Sequence, residues 1–155
     1  MAIRVGRDFS GPDWGGAQEL TLFAEQVGPV LSPLLPVPAA PEDLLCLPLL
    51  HTRTRPQAWP DWLAPHALTA PEDPPARWHE HFYFMLEAAT AGLGVAIAPL
   101  ALVRDDLAAG RLRAPFGFAP NGMRYAALAP PRRSRDAQAL LDWLQDQART
   151  PPQAP

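Results

Sequence analysis

The chain has 155 residues, enough for one domain or two small lobes, and 48% of them are hydrophobic, which supports a buried core. It carries 13 basic and 16 acidic residues, and the net charge of -3 does not favour binding to the phosphate backbone of nucleic acids. The 21 prolines favour short elements joined by ordered turns over long helices, since proline has no N–H donor.

The single cysteine, Cys46, excludes an intramolecular disulfide and fits a reducing compartment. Because its neighbours are leucines, we expect a buried and unreactive thiol. The N-terminus shows no apolar stretch of signal-peptide length. The longest uncharged run, residues 88–103, is shorter than the ~20 residues that span a membrane. These features predict a cytoplasmic protein without a membrane anchor.

The first half of the chain predicts short elements separated by proline-rich loops. In chain order they are a strand over residues 1–5, a bent strand over 20–31, an apolar stretch over 44–51 in which Pro48 marks the start of a strand, and a helix from Trp59 to Leu63. The loops at 32–41 and 70–76 contain too many prolines for a helix or a central strand. Pro60 is compatible with the helix because proline is tolerated in a first turn.

The stretch from His79 to Pro99 is the centre of the pattern. Apolar residues recur there at the i, i+3, i+4, i+7 spacing of a buried helix face, namely Phe82, Met85, Leu86 and Ala89. Gly92 can adopt the left-handed turn that ends a helix, and residues 95–98 predict a buried strand. In layered α/β folds, ligands usually bind at the carboxyl ends of such strands.

The remainder of the chain predicts four elements: a helix over 101–109 closed by Gly110, strands over 112–116 and 123–129, and a helix capped by Ser134. The last helix has the clearest apolar stripe, formed by Ala137, Leu140, Leu141, Leu144 and Ala148. Residues 149–155 are predicted to be a disordered tail.

His79 and His81 lie two positions apart, so both would face one side of an extended segment and could hold a metal ion. A metal site needs a third ligand, and His51 and His66 occur in unrelated segments. We therefore favour ordinary polar residues that lead into a helix. Near a helix N-terminus, His81 is better suited to contact an anion, because backbone N–H groups are free there.

Catalytic patterns are weak in this sequence. No serine lies in a Gly-x-Ser-x-Gly segment, and Asp105 and Asp106 are adjacent, so on a helix they do not face each other. The Gly92-Leu93-Gly94 turn follows a helix and precedes a strand, which is the reverse of a dinucleotide site. The basic cluster at 132–135 could contact an anion or a partner, but such runs are usually solvated. The sequence predicts no enzyme and no cofactor.

Residues 88–99 read Ala-Ala-Thr-Ala-Gly-Leu-Gly-Val-Ala-Ile-Ala-Pro and resemble the A-Gly-x-Gly-x-A-x-x-Pro signature of LysR-type transcriptional regulators. The similarity is to the effector-binding domain of that family, close to the glycine-cleavage-activator-like subgroup. Further segments agree in order and extend the resemblance over residues 1–148. They are Ala-Ile-Arg-Val-Gly at 2–6, Leu-Ser-Pro at 31–33, Leu-Leu-His at 49–51 with Trp59 to Leu63, residues 106–112, and Trp143-Leu144.

The resemblance implies an α/β, periplasmic-binding-protein-like (type 2) effector domain. Such a domain has two lobes joined by two crossover strands, with a small-molecule cleft between the lobes, and binding shifts the lobes about the crossovers. The implied partial first lobe with the crossovers comprises residues 1–5 and 99–148. The implied second lobe, residues 6–98, is complete.

The resemblance also implies site residues. The effector-binding candidates are Arg4, Gly6, Ser32, His81, Phe82 and Ala96. The hinge candidates are Val5, Ala98 and Pro99. A cationic side chain and a helix N-terminus would together favour an anionic effector such as a carboxylate.

The family's winged helix-turn-helix, its linker helix and the first half of its first lobe do not precede Met1. We therefore expect an N-terminally truncated effector domain that reaches DNA only through a domain absent from this chain. Uncovered apolar faces of the last helix and the final strands predict a homo-oligomer, such as a dimer, or a rearranged first lobe. The alternative is a stand-alone module that binds a small anion or amino acid without a role linked to DNA.

Overall fold

The computed structural model describes residues 1–9, 16–70 and 77–149. The predicted linker beyond residue 70 and the predicted disordered tail beyond residue 149 lie outside these ranges. Contacts divide the chain into unit 1, residues 1–25 and 120–155, and unit 2, residues 26–119. The strands are β1 (Ala2–Gly6), β2 (Gln18–Val30), β3 (Leu49–Thr52), β4 (Arg77–His79), β5 (Val95–Pro99) and β6 (Ala119–Ala129). The α-helices are α1 (Ala58–Leu63), α2 (Phe82–Thr90), α3 (Leu100–Ala108) and α4 (Arg135–Arg149).

Unit 2 contains a sheet in the order β2-β5-β3-β4. The strands β3, β4 and β5 run parallel, and the second half of β2 runs antiparallel to β5. Helices cover both faces. On one face, α2 and α3 pack against Leu50, Ala96 and Ala98, and on the other, α1 packs against Leu49 and Val95. Burial of both faces explains why β5 is apolar throughout.

The predicted helix, glycine turn and buried strand of the central stretch are confirmed. Helix α2 buries Met85, Ala88 and Ala89 against the sheet. It ends at Gly92, whose φ of 76° is in the left-handed region that favours glycine. The N–H of Gly92 donates to the carbonyl of Ala89 at 3.0 Å, which satisfies one of the last carbonyls of the helix.

The strand start predicted at Pro48 is confirmed to within one residue, and the apolar residues before it form a different element. Residues Pro41–Cys46 form a 3-10 helix, and β3 begins only at Leu49. The carboxylate of Asp43 accepts hydrogen bonds from the N–H groups of Ala39 and Ala40, at 2.9 and 3.0 Å, and so stabilises the turn.

The burial predicted for Cys46 is wrong, because the 3-10 helix directs Leu44 into the core and leaves the cysteine exposed. A leucine-rich context is compatible with either position, and only the 3-10 geometry decides which side chain points inward. The burial argument for an unreactive thiol therefore does not hold.

The strand predicted over 112–116 is reduced to one bridge. Leu31 and Arg113 exchange two backbone hydrogen bonds, of 3.0 and 2.8 Å, and no regular strand follows among the described residues. Pro115 lies two positions later and has no N–H to continue the ladder. The short strand β4, in contrast, was not predicted.

Unit 1 contains β1, β6 and the first half of β2 in the order β1-β6-β2. Strand β1 pairs antiparallel with β6, from Ala2 opposite Leu128 to Gly6 opposite Arg124, which confirms the predicted N-terminal strand. Arg124 also holds β2 through two hydrogen bonds to the Glu19 carboxylate, at 2.6 and 3.0 Å.

Helix α4 begins at the predicted cap, where the hydroxyl of Ser134 accepts a hydrogen bond from the N–H of Ala137 at 3.2 Å. Leu141 is buried against Ala127 and Ala129, but Leu140 of the predicted apolar stripe is exposed. None of the helices in the described ranges has the length and apolar character needed to cross a lipid bilayer.

Candidate functional site

The C-terminal ends of β3 and β4 lie side by side at one edge of the sheet in unit 2. Thr52, the last residue of β3, is in register with His79, the last residue of β4. The ladder continues for one more hydrogen bond, from the N–H of Arg53 to the carbonyl of His79 at 2.9 Å. Strand β5 runs parallel to β3 and ends at the same edge. In α/β sheets, this is the edge at which ligands bind.

Thr52 places a buried polar side chain at the end of β3. The residue is only 1% exposed. Its hydroxyl lies 2.9 Å from that of Thr54, and it also accepts a weak hydrogen bond from the Thr54 N–H at 3.4 Å. Because the neighbouring turn holds it, the Thr52 hydroxyl has a defined position before any ligand arrives.

His51 and His79 each have a buried Nε2 atom without a hydrogen-bond partner in the described ranges. Buried polar atoms normally have a partner, so each of these nitrogens is a candidate ligand contact. His79 shares the α2 side of the sheet with Thr52, whereas His51 lies on the opposite face.

His51 has a packing role on that opposite face. Its ring stacks on Trp78 with ring centroids 4.7 Å apart, and Trp59 lies 6.4 Å away. Burial lowers the pKa of His51, so the ring is neutral near pH 7. A cavity of about 430 Å³ opens beside Trp78, Arg53 and Pro56.

Only two residues separate the end of β4 from the start of α2, so the N-terminus of the helix belongs to the same edge. The residue before the helix, His81, is extended, with φ -137° and ψ 160°, and its side chain makes no capping hydrogen bond. The first-turn N–H groups carry the positive end of the helix dipole, which favours an anion. Nearby, Arg53 pairs with Glu80 at 2.8 Å, an exposed ion pair that contributes little stability.

The structure places His81 and Phe82, two of the six predicted effector-binding residues, at this edge. Ala96 lies deeper, fully buried in β5 between Val30 and Leu50. Its methyl group belongs to the core that packs against α2.

Ser32 lies at the other end of α2. Because β2 runs antiparallel to β5, the chain reaches Ser32 beyond the start of β5, beside the Gly92 turn. The hydroxyl of Ser32 accepts a hydrogen bond from the Leu34 N–H at 3.3 Å. The nine residues of α2 separate this turn from His81 by about 13 Å. The structure therefore does not bring Ser32 and His81 together.

Arg4 and Gly6 lie on β1 in unit 1. The exposed Arg4 guanidinium donates a hydrogen bond to the carbonyl of Ile3 at 3.0 Å. Gly6 faces the ring of Phe9, and a Cβ atom added there would lie 3.2 Å from the ring. A role for these two residues in effector binding stays a prediction.

The predicted hinge residues lie inside regular strands. Val5 pairs with Tyr125 in unit 1, whereas Ala98 and Pro99 pair with Gly28 and Val27 in unit 2. The chain passes between the units elsewhere, after residue 25 in β2 and after residue 119 in β6. The predicted lobe boundaries and the predicted hinge stay predictions, because a single conformation contains no measurement of movement.

Sequence reasoning did not identify Thr52, Arg53 and His79 as neighbours in one site, although Thr52 and His79 are paired in the sheet. A signal was present, since the polar residues 51–55 follow directly after the apolar run at 44–50. The pairing of β3 with β4 was not predictable, because β4 has only three residues and no apolar alternation. In the described ranges, no three histidine, cysteine or acidic side chains converge to hold a metal ion.

Two transcriptional regulators are similar to this chain in sequence. The HTH-type transcriptional regulator TrpI of Pseudomonas aeruginosa is 50% identical over 149 residues, which cover 90% of this chain and 50% of that protein. The glycine cleavage system transcriptional activator of Escherichia coli K12 is 34% identical over 121 residues, which cover 75% of this chain and 38% of that protein. The chain thus spans half or less of the length of these relatives.

Solved structures show the same fold. The AmpR effector binding domain from Citrobacter freundii superposes with a TM-score of 0.77 at 26% identity, over 94% of this chain and 72% of that one. The effector domain of AmpR of Pseudomonas aeruginosa gives 0.74 at 28% identity, over 94% and 70%. The family of the LysR substrate binding domain matches residues 1–149. The chain belongs to this family, the effector-binding domain of LysR-type transcriptional regulators, and has its periplasmic-binding-protein-like α/β fold.

Proposed function

We propose that this chain senses a small anionic effector for a LysR-type transcriptional regulator and binds it at the C-terminal edge of β3 and β4. The observation that carries the proposal is the meeting of Thr52, His79 and the N-terminus of α2 at that edge. The regulator would contact DNA through a separate domain of a longer protein, in the cytoplasm.

The groups at the edge suit a carboxylate or a similar anion. The Thr52 hydroxyl and an Nε2–H of His79 can donate hydrogen bonds, and the helix N-terminus adds backbone donors and a partial positive charge. The similar proteins named above are transcriptional regulators, which supports sensing without catalysis. No observation favours the stand-alone binding module over this function.

Ser32 is outside the proposed site, and this distinction gives a paired test. We expect Thr52→Val to abolish most of the thermal stabilisation that an anionic effector produces, because valine keeps the shape of threonine and removes the hydroxyl. Ser32→Ala should keep that stabilisation in full, although it removes a buried hydroxyl of similar size. The measurement is a thermal-shift screen of amino acids and organic acids against the parent chain and both variants.

A ligand present at 100 times its dissociation constant stabilises the folded state by about 2.7 kcal/mol, which is easily seen in such a screen. The site assignment is contradicted if Ser32→Ala abolishes the shift and Thr52→Val retains it. If no anion shifts the parent chain, the anionic nature of the effector is contradicted.

We also propose that unit 1 mediates self-association, since its described residues include six exposed large apolar side chains, four of them on β1 and β2 or next to them and two on α4. These are Met1, Ile3, Val5, Phe23, Leu140 and Trp143. We expect light scattering to report a mass above that of one chain, and we expect Trp143→Gln with Leu140→Gln to shift the mass toward the monomer. A monodisperse parent monomer that binds no hydrophobic dye would contradict this proposal.

A further inference from the structure

An ion pair bridges the ends of β3 and β4 in unit 2. Thr52 and His79, the last residues of these strands, are in register. The residues that follow them, Arg53 and Glu80, are therefore neighbours across the edge. The N–H of Arg53 donates to the carbonyl of His79 at 2.9 Å, which fixes the backbone of the arginine. Its Nε atom lies 2.8 Å from Oε1 of Glu80.

The ion pair is open to solvent on both sides. The side chain of Arg53 is 66% exposed, and that of Glu80 is 70% exposed. Pairs with this exposure favour the paired over the separated state by about fivefold at most, because water and salt screen the attraction. Glu80 therefore holds Arg53 weakly, and a second carboxylate can replace it at little cost.

Arg53 borders a space in which a second partner fits. Together with Pro56 and Trp78, it lines the cavity of about 430 Å³, a volume in the range of small-molecule sites. Its guanidinium presents several N–H donors in one plane, which match the two oxygens of a carboxylate. The edge thus has a full positive charge next to the hydrogen-bond donors described above.

Glu80 already places a carboxylate where an anion would bind. It directly precedes His81, the residue before α2, so its negative charge is close to the positive end of the helix dipole. Because the chain attaches Glu80 next to Arg53, its effective concentration at the guanidinium is high. Any anion that binds Arg53 must compete with this carboxylate.

We propose that Glu80 is an internal competitor of the effector, and that an effector carboxylate displaces it from Arg53 and accepts the charge-assisted hydrogen bond in its place. Arg53 then selects for anions, and Glu80 raises the effector concentration that is needed to fill the site. The exchange rests on the function proposed above, because it takes this edge of β3 and β4 as the effector site.

Succinate titration of the full chain tests the exchange, with the NMR signal of the Arg53 Nε–H group as the readout. Arg53→Gln identifies that signal. We expect succinate to shift it in the parent chain and the uncharged analogue succinamide to leave it unchanged. Glu80→Gln should lower the dissociation constant for succinate about two- to fivefold, because the competing carboxylate is lost. Arg53→Gln should raise it about tenfold.

Glu42→Gln is the matched control, because it removes one negative charge from an exposed position in the 3-10 helix that precedes β3, at the opposite end of the strand from Arg53. We expect the parent dissociation constant in that variant. The double variant of Arg53→Gln with Glu80→Gln should bind succinate no more tightly than Arg53→Gln alone, because Glu80 competes only through Arg53.

Several results would overturn the exchange. One is a dissociation constant in Glu80→Gln that is unchanged or falls no further than in Glu42→Gln. Another is a gain from Glu80→Gln that persists in the double variant, since Glu80 would then act by general repulsion. Succinate-induced shifts at the amides of Thr52 and His79 without a shift of the Arg53 signal would overturn the exchange and leave the effector site in place. No shift at any of these groups, in the parent or in Glu80→Gln, would overturn both.

Discussion

Gly28→Ala is expected to lower the free energy of unfolding by about 3 kcal/mol or more, at the upper end of the cost of overpacking. The new Cβ atom would lie 2.0 Å from the Gly117 carbonyl oxygen and 3.1 Å from Cδ1 of Phe118. Neither backbone can move away easily, because β2 pairs with β5 and Leu31 is bridged to Arg113 just beyond. Urea unfolding of the variant and the parent measures the difference.

Gly110→Ala is the control for this prediction. The φ of Gly110 is 68°, which disfavours alanine, but a Cβ atom there would meet no atom within 4 Å. We expect a loss of about 1–2 kcal/mol from the left-handed backbone alone. Because Gly28 is not among the glycines with a positive φ, a loss in Gly28→Ala no larger than that in Gly110→Ala would contradict the role of the close approach of the two backbones.

Trp59→Ala is expected to cost about 3–5 kcal/mol, the range for removal of a buried aromatic side chain. Trp59 is 1% exposed and lies at the centre of the α1 side of the sheet in unit 2. Its indole N–H donates to the carbonyl of Leu50 at 3.0 Å, so the substitution also leaves a buried carbonyl with one partner fewer. In a chain of this size, the loss corresponds to a fall in melting temperature of about 10 °C.

Trp62→Ala is the matched control, because Trp62 is on the same short helix and is only partly buried. Its ring contacts are with Trp59, His66 and Phe116. We expect a smaller loss, of about 1–2 kcal/mol, because less apolar area is removed from the core. A larger loss in Trp62→Ala than in Trp59→Ala would contradict the placement of the core of unit 2.

The elements that could be predicted from the sequence have strong local signals. The α2 helix, the Gly92 turn and β5 were predicted because helical spacing, a helix-ending glycine and an apolar run each depend on adjacent residues. The cap of α4 was predicted for the same reason, since Ser134 bonds an N–H only three positions away. The family resemblance was also correct, because it rests on several segments in a fixed order.

Two predictions are wrong, the burial of Cys46 and the strand over 112–116, because the hydrogen bonds that decide these structures are not visible in the apolar pattern of the residues themselves. The leucines around Cys46 are compatible with a buried thiol, but the turn at Asp43 makes Pro41–Cys46 a 3-10 helix and exposes the cysteine. In residues 112–116, the bridge between Arg113 and Leu31 is the one β-pairing within the described ranges.

The sequence by itself determined the family, the α/β class and the central helix and strand, because these depend on composition, periodicity and ordered segments along the chain. Only the tertiary structure decided that Thr52 and His79 meet at one edge and that Ser32 lies at the far end of α2. Strand order, direction and register set those distances. They result from pairing between strands whose partner residues are 27 to 126 positions apart, and no local pattern contains that information.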